Sequence, residues 1–331
     1  MLKCLKDMSV DFSKDVLKID PEKVSRKIEE FIRNTVRKSF KRKGIVIGLS
    51  GGLDSSVSAA LAVRALGARW VYGLILPEKD SHPVSRTYGR LVAESLNIEY
   101  DDIDITPMLK SLGVYDKRDT IVKAVFPELD ESYKFRLVLP QDLLERDRLN
   151  VYSLEVLLED GTIRRKRLSH NDYFGLMAAN DIKQRVRMIH LYYEAEKRHC
   201  VVCGTTNRSE MMQGFFVKYG DGGVDIEPIA GLYKSQVYQL GRYLDIPKEI
   251  LTRTPTPDTY SFEVSDKEFY FCIPFDILDL FLYAIEHNVQ KTKVANTLDL
   301  TMEQVNRIWK DMQHKYDTTA YLRQFPPSPE V

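Results

Sequence analysis

The sequence predicts an α/β fold: a doubly wound parallel sheet, interrupted by an insertion with a β-hairpin and followed by a helical C-terminal region. Three observations carry that prediction. Short apolar runs at 45–49, 70–76 and 98–103 alternate with helical stretches at 55–66 and 83–96, a spacing that calls for parallel strands and right-handed crossovers. The first run breaks into Ser50-Gly51-Gly52-Leu53-Asp54-Ser55 just before a helix, the strand–turn–helix layout of a Rossmann-like sheet. A long helical stretch at 177–198 leads into a fourth apolar run, 199–204, that can join the same sheet.

In chain order, 20–40 opens with Asp20 as a cap and Pro21 at the first helical position. Ile28, Phe31, Ile32 and Val36 then recur at helical spacing, so the stretch is an amphipathic helix. The alternation runs to residue 103. Between 115 and 173 the pattern changes: strand-like runs at 151–158 and 163–168 flank Glu159-Asp160-Gly161-Thr162, a hairpin signal, and the segment reads as an insertion. Residues 234–243 are helical, and Ile246-Pro247 ends that helix. Two more helices are predicted at 276–287 and 301–316, before a proline-rich extended tail at 325–331. The chain 1–331 reads as one domain, with 115–173 inserted in it and 276–331 as its helical end.

Composition narrows the classes of function. Hydrophobic residues make up 44% of the chain, and Lys+Arg and Asp+Glu number 48 each, so no global field gathers nucleic acid or an anionic membrane. No run approaches the ~18 to 20 apolar residues of a membrane span, and residues 1–13 lack a signal-peptide core. Four cysteines (Cys4, Cys200, Cys203, Cys272) are too few for a disulfide scaffold. A cytoplasmic protein that binds neither nucleic acid nor membrane is expected.

The glycine loop carries the chemistry. Backbone N–H groups at a helix N-terminus form an anion site, Gly51 and Gly52 let the chain approach a phosphate, and Ser50 and Ser55 add hydroxyls. Asp54 repels phosphate unless a cation bridges them, so the loop predicts ATP with Mg²⁺. Neither a Gly-x4-Gly-Lys-Ser/Thr loop nor a Gly-x-Gly-x-x-Gly loop is present. Without a loop lysine on the β- and γ-phosphates, the terminal pyrophosphate becomes the leaving group and attack falls on the α-phosphate: adenylylation. At the end of the fourth strand, Gly204-Thr-Thr206-Asn-Arg-Ser-Glu210 places Glu210 as a second Mg²⁺ ligand beside Asp54; the plainer alternative is a helix start capped by Ser209. Lys218-Tyr-Gly-Asp221-Gly-Gly-Val-Asp225 suits a loop closing on a polar ligand. Asn180, Lys183, Arg185 and Arg187 share a helix face that can grip a phosphate or carboxylate.

These motifs, with Gly231-Leu-Tyr-Lys234-x-Gln236-Val, resemble NAD synthetase, of the N-type ATP pyrophosphatase superfamily and its adenine-nucleotide α-hydrolase-like fold. The resemblance spans about 20–110 and 177–250, with a weaker match in the tail. It implies a ligase that adenylylates the carboxylate of nicotinic acid adenine dinucleotide (deamido-NAD) and amidates it with ammonia, giving NAD, AMP and pyrophosphate. Ser50, Gly51, Gly52, Asp54 and Ser55 would hold the ATP phosphates. Asp54 and Glu210 would bind Mg²⁺, Thr206 would lie against ATP, and Lys234 would neutralise phosphate oxygens. Asn180, Arg185, Lys218, Asp221 and Asp225 would line the dinucleotide and ammonia side, with Asp221 accepting the ammonium proton. The resemblance also implies a homodimer with the dinucleotide across its interface. Only about 43 residues precede the first strand, too few for a glutaminase domain, which implies the ammonia-dependent form.

Three departures fall where the acid, rather than ATP, is expected to bind. They are the long 115–173 insertion, Val264-Ser-Asp266-Lys-Glu268-Phe in place of a Gln-x-Asp-Glu cluster, and Leu322 in place of a lysine before the terminal prolines. They motivate the same chemistry on another acid, a sugar acid or biosynthetic intermediate. A tRNA-modifying enzyme would use Cys200-Val-Val-Cys203 for sulfur or iron–sulfur chemistry, but side chains three apart in a strand face opposite ways. A non-catalytic nucleotide sensor has no need of Asp54, Glu210 and Lys234 together.

Overall fold

A computed structural model describes residues 12–129, 132–141, 143–146 and 150–329; Cys4 lies outside them. Helix α1 (Pro21–Arg33) starts as its sequence dictates, with Lys23 N–H donating to Asp20 Oδ1 at 3.1 Å and Pro21 in the first turn, and runs on into a wide π-type turn, Asn34–Ser39. The alternation follows: β1 (Ile45–Gly48), α2 (Leu53–Leu66), β2 (Val71–Ile75), α3 (Pro83–Ser95), β3 (Glu99–Asp102), α4 (Thr106–Ser111) and α5 (Val114–Val125). Three antiparallel strands come next, β4 (Tyr133–Val138), β5 (Ser153–Leu158) and β6 (Ile163–Arg167). The chain then returns through the 29-residue α6 (His170–Arg198) to β7 (Val201–Cys203). Short helices α7 (Arg208–Gln213), α8 (Lys234–Tyr243) and α9 (Lys248–Leu251) precede the helical end: α10 (Phe275–Glu286), α11 (Lys291–Leu298) and α12 (Met302–Thr318).

The main sheet has the order β3-β2-β1-β7, all parallel. Strand order reverses between β1 and β7, so their carboxyl ends open a crevice there, the place where such sheets bind ligands. Both faces are covered. Ile45 and Ile47 of β1 pack with α1, α2, α3 and α8, while Val46 packs with α4, α5 and α6. That is the alternation of a strand buried on two sides. Cys203 belongs to the first core and Cys200 packs against the second, so the C-x-x-C pair cannot share a ligand.

The expected hairpin is β5–β6, turning through Gly161 at φ +83°, and β4 pairs with β5 on its other edge. Helix α5, within the stretch read as inserted, covers the main sheet instead: Val114 and Tyr115 sit in its second core. The addition to the α/β alternation is therefore the three-stranded sheet, with an apolar cluster of its own around Phe135, Leu137, Leu154 and Val156. A fourth cluster packs α10, α11 and α12 against Phe12, Leu17 and Tyr233. The described part of the tail, 325–329, forms neither helix nor strand, and Phe325 is 93% exposed.

Candidate active site

Between β1 and β7 lies a cleft of about 930 Å³. Its floor at one end is the 50–55 loop. Gly51 adopts φ +73°, and a Cβ there would collide with the Ser85 carbonyl oxygen, so both conformation and space demand glycine. Ser50 Oγ accepts from Gly52 N–H at 3.2 Å and meets Ser55 Oγ at 3.0 Å. Helix α2 begins at Leu53 with no side-chain cap on its first amides, which leaves N–H donors facing the cleft.

Lys234, the first residue of α8, points its ammonium at this loop. It forms an ion pair with Asp54 Oδ2 and lies 3.7 Å from Glu210 Oε1. Its placement depends on a fully buried carboxylate: Asp279 of α10 accepts Ser209 Oγ–H at 2.6 Å and Ser235 N–H at 2.7 Å, joining α7, α8 and α10. Asn207, not Ser209, caps α7, in a reciprocal box with Glu210. Its side-chain amide also donates to Asp54 Oδ1 at 3.0 Å. Glu210 thus serves the helix start and faces the cleft at once.

The electrostatics follow from burial. Burial works against the Lys234 ammonium, but Asp54, Glu210 and Asp266 outweigh it and hold it protonated. Burial lifts the Glu210 carboxyl well above the usual range, and repulsion from Asp54 adds to that. Asp266 is pushed up to about 6 by burial, and its Oδ1 is buried without a hydrogen-bond partner. The 264–269 stretch, expected at the acid end, therefore puts Asp266 in the field of Lys234 and Asp54, at the phosphate end.

Along the cleft stand Asn180, Asp181, Arg185 and Arg187 from α6, then Lys218 and Asp221. Asp221 Oδ1 accepts Val217 N–H at 2.9 Å, and burial raises its carboxyl to about 6. Lys218 Nζ donates to the carbonyls of Tyr321 (3.0 Å) and Gln324 (3.2 Å), bringing the C-terminal segment, with Leu322, to the rim. Three expected residues stand elsewhere. Lys183 turns inward: its Nζ donates to Glu78 Oε1 (2.8 Å), Asp80 Oδ2 (2.8 Å) and the Thr259 carbonyl (2.7 Å), so it is no part of the gripping face. Thr206 is buried, its N–H donating to Glu227 Oε2 at 3.2 Å, and Thr205 lines the cleft in its place. Asp225 is exposed and accepts from Tyr192 Oη–H (3.1 Å) and Val202 N–H (2.8 Å).

The family model described as NAD synthase matches residues 24–126 and 147–326. The chain is 44% identical over 315 residues to the NH(3)-dependent NAD(+) synthetase of Rhizobium meliloti (strain 1021), covering 95% of this chain and 94% of that one. It is 31% identical over 313 residues to the enzyme of the same name from Methanocaldococcus jannaschii, covering 94% and 97%. The chain belongs to the NAD synthase family. As such it is a ligase that forms a C–N bond with ATP as a substrate. Its fold is shared by NMN synthetase from Francisella tularensis (TM-score 0.66, 23% identity, 95% of this chain and 100% of that one). NH3-dependent NAD synthetase from Campylobacter jejuni shares it too (TM-score 0.61, 23% identity, 94% and 100%).

The motifs of the sequence did not point to the 253–259 part of the cleft wall. Arg253 Nη2 donates to Ser85 Oγ at 2.8 Å beside Gly51, and Asp258 Oδ1 accepts His82 N–H at 2.9 Å. Arg253-Thr-Pro-Thr-Pro-Asp258 offered a signal, a cation and a carboxylate framing two prolines, but no partner nearby in sequence.

Proposed function

We propose that the chain adenylylates the carboxylate of deamido-NAD with ATP and amidates it with ammonia, giving NAD, AMP and pyrophosphate. The observation that carries this reading is the continuity of one cleft from the 50–55 loop, past Lys234, to Lys218 and Asp221. It seats a nucleotide and an acid side by side. Relatives named as ammonia-dependent NAD synthetases point the same way.

In this reading Ser50, Gly51, Gly52 and Ser55 hold the ATP phosphates against the N-terminus of α2. Asn180, Arg185 and Lys218 orient the acid. Its carboxylate oxygen bonds to the α-phosphorus as the bond to the bridging oxygen of the β-phosphate breaks, and pyrophosphate leaves. Lys234 stands where the leaving charge grows. The nitrogen of ammonia then bonds to the acyl carbon, AMP departs, and the proton shed by nitrogen passes to Asp221, which with a pKa of about 6 is mostly ionised at neutral pH. Asp54 and Glu210 suit Mg²⁺: both offer hard oxygen ligands, and their mutual repulsion falls when a cation joins them. Among the described residues no three acidic, His or Cys side chains stand together as a complete metal site, so such an ion would share phosphate oxygens. When bound, it offsets phosphate charge. Thr206 acts here by holding the Glu227 carboxylate through its N–H, and Asp225 by holding the Val202 N–H of β7.

The protein further works as a cytoplasmic homodimer of single synthetase units that binds neither nucleic acid nor membrane. Phe174 (63%), Ile189 (53%) and Tyr193 (61%), all exposed on α6, support a covered face. Among the described residues no helix is long and apolar enough to cross a membrane. The deciding assay is pyrophosphate release with ATP, ammonium and deamido-NAD. NAD formation in step with pyrophosphate is expected. Intact ATP binding with no turnover of this acid overturns the reading.

A further inference from the structure

We propose that the three-stranded sheet β4–β5–β6, through its edge strand β4, is a splint that holds the 253–269 segment, one wall of the cleft, in place before any ligand arrives. The inference rests on the reading of the cleft as the synthetase site. The segment has two sides. Arg253, Thr256, Asp258 and Asp266 face the cleft. Tyr260, Val264 and Phe269 are 6%, 3% and 4% exposed and sit in the apolar cluster of the inserted sheet.

Strand β4 makes most of the polar contacts. Phe262 N–H donates to the Phe135 carbonyl (3.0 Å), Phe135 N–H to Ser261 Oγ (3.0 Å), and Leu139 N–H to the Glu268 carbonyl (2.9 Å). Arg136 Nη1 donates to the Glu263 carbonyl at 2.9 Å, while its Nε donates to Glu155 Oε2 on β5 at 2.8 Å. The Phe135 and Tyr260 rings meet edge to face, centroids 5.6 Å apart. From the opposite side the Lys183 ammonium holds the Thr259 carbonyl and the Glu78 and Asp80 carboxylates together, and Arg118 of α5 pairs with Asp80 at 2.5 Å.

A loop of this length without apolar anchors opens readily. Here opening exposes three buried side chains and breaks this ladder of bonds. The family match spans β5 and β6 but passes over 127–146, the stretch that contains β4, so the bracing by β4 is an addition to what the family model describes. Arg136 and Phe135 are positioning residues: they act on ATP only through the wall they hold.

Hydrogen exchange on the ligand-free full-length chain tests this. The Phe262 and Asp266 amides of the wild type are expected to be as protected as β4 itself. In Arg136→Ala and Phe135→Ala, exchange across 253–269 is expected to rise by about tenfold or more, with β1 and β2 unchanged and ATP restoring protection. KM for ATP rises in these variants while kcat at saturation stays within about twofold. If Phe135→Ala loses the inserted sheet, Arg136→Ala, which trims a side chain at the sheet's rim, carries the comparison. Free exchange of 253–269 in the ligand-free wild type overturns the proposal. So does continued protection of that segment in an Arg136→Ala chain whose β4 has loosened. The exchange measurement needs no turnover, so it separates this proposal from the identity of the acid.

Discussion

At the scale of single residues the phosphate end is a cluster in which each charge depends on the next. Removing Lys234 leaves Asp54, Glu210 and Asp266 facing one another in a buried site. Lys234→Met is therefore expected to cost about 10² to 10³ in kcat, read as pyrophosphate release, and to lower the melting temperature as well. Asp221 offers a test by pH. Burial raises its folded pKa to about 6, above the unfolded carboxylate value near ~3.9. Its stabilising protonation is complete below about pH 4 and is lost as pH rises through about 6. Asp221→Asn keeps an acceptor for Val217 N–H and removes the buried charge. It is expected to melt roughly 2 °C or more above the wild type at pH 8, the gap closing by about pH 4, while losing about 10²-fold in amidation rate. Gly51→Ala combines a collision with Ser85 and a left-handed φ, and is expected to abolish ATP binding in calorimetry.

At the scale of elements, α6 joins the cleft to the buried ion-pair cluster behind it. One of its faces offers Asn180, Arg185 and Arg187 to the cleft, and Lys183 reaches inward to Glu78, Asp80 and Thr259. Lys183→Met leaves the buried Glu78 carboxylate without its cation, while Asp80 keeps Arg118, and is expected to destabilise the chain by about 3 to 5 kcal/mol in urea unfolding. The helical pattern gave no sign of which way Lys183 points, because Asn, Lys and Arg at helical spacing look alike on a solvated and an ion-paired face. The β1–α2 loop was legible because turn, helix and anion site are all local. So was the β5–β6 hairpin, whose Asp-Gly turn is specified by adjacent residues. Strand β4 was not: no turn motif links it to β5, and its other partners, Ser261, Phe262 and Glu268, lie more than a hundred residues away. Helix α11 buries only Val294 and Ala295, too thin a stripe to register. Arg253 was missed, and Asp266 was assigned to the acid end rather than the phosphate end, for the same reason as β4: the chain brings them to the 50–55 loop only through long-range packing.

At the scale of the whole molecule, sedimentation is expected to give twice the 38.3 kDa of one chain, and Tyr193→Glu, on the exposed face of α6, is expected to shift that mass toward one chain. The segment sealed between β4 and the cleft has a thermodynamic consequence. Ordering a free wall on ligand arrival would set a conformational entropy loss against every binding event. In this chain the side of the wall that carries Tyr260, Val264 and Phe269 is fixed when the protein folds. Nucleotide binding should then show a small heat-capacity change and little entropic penalty, resembling a rigid receptor rather than coupled folding and binding.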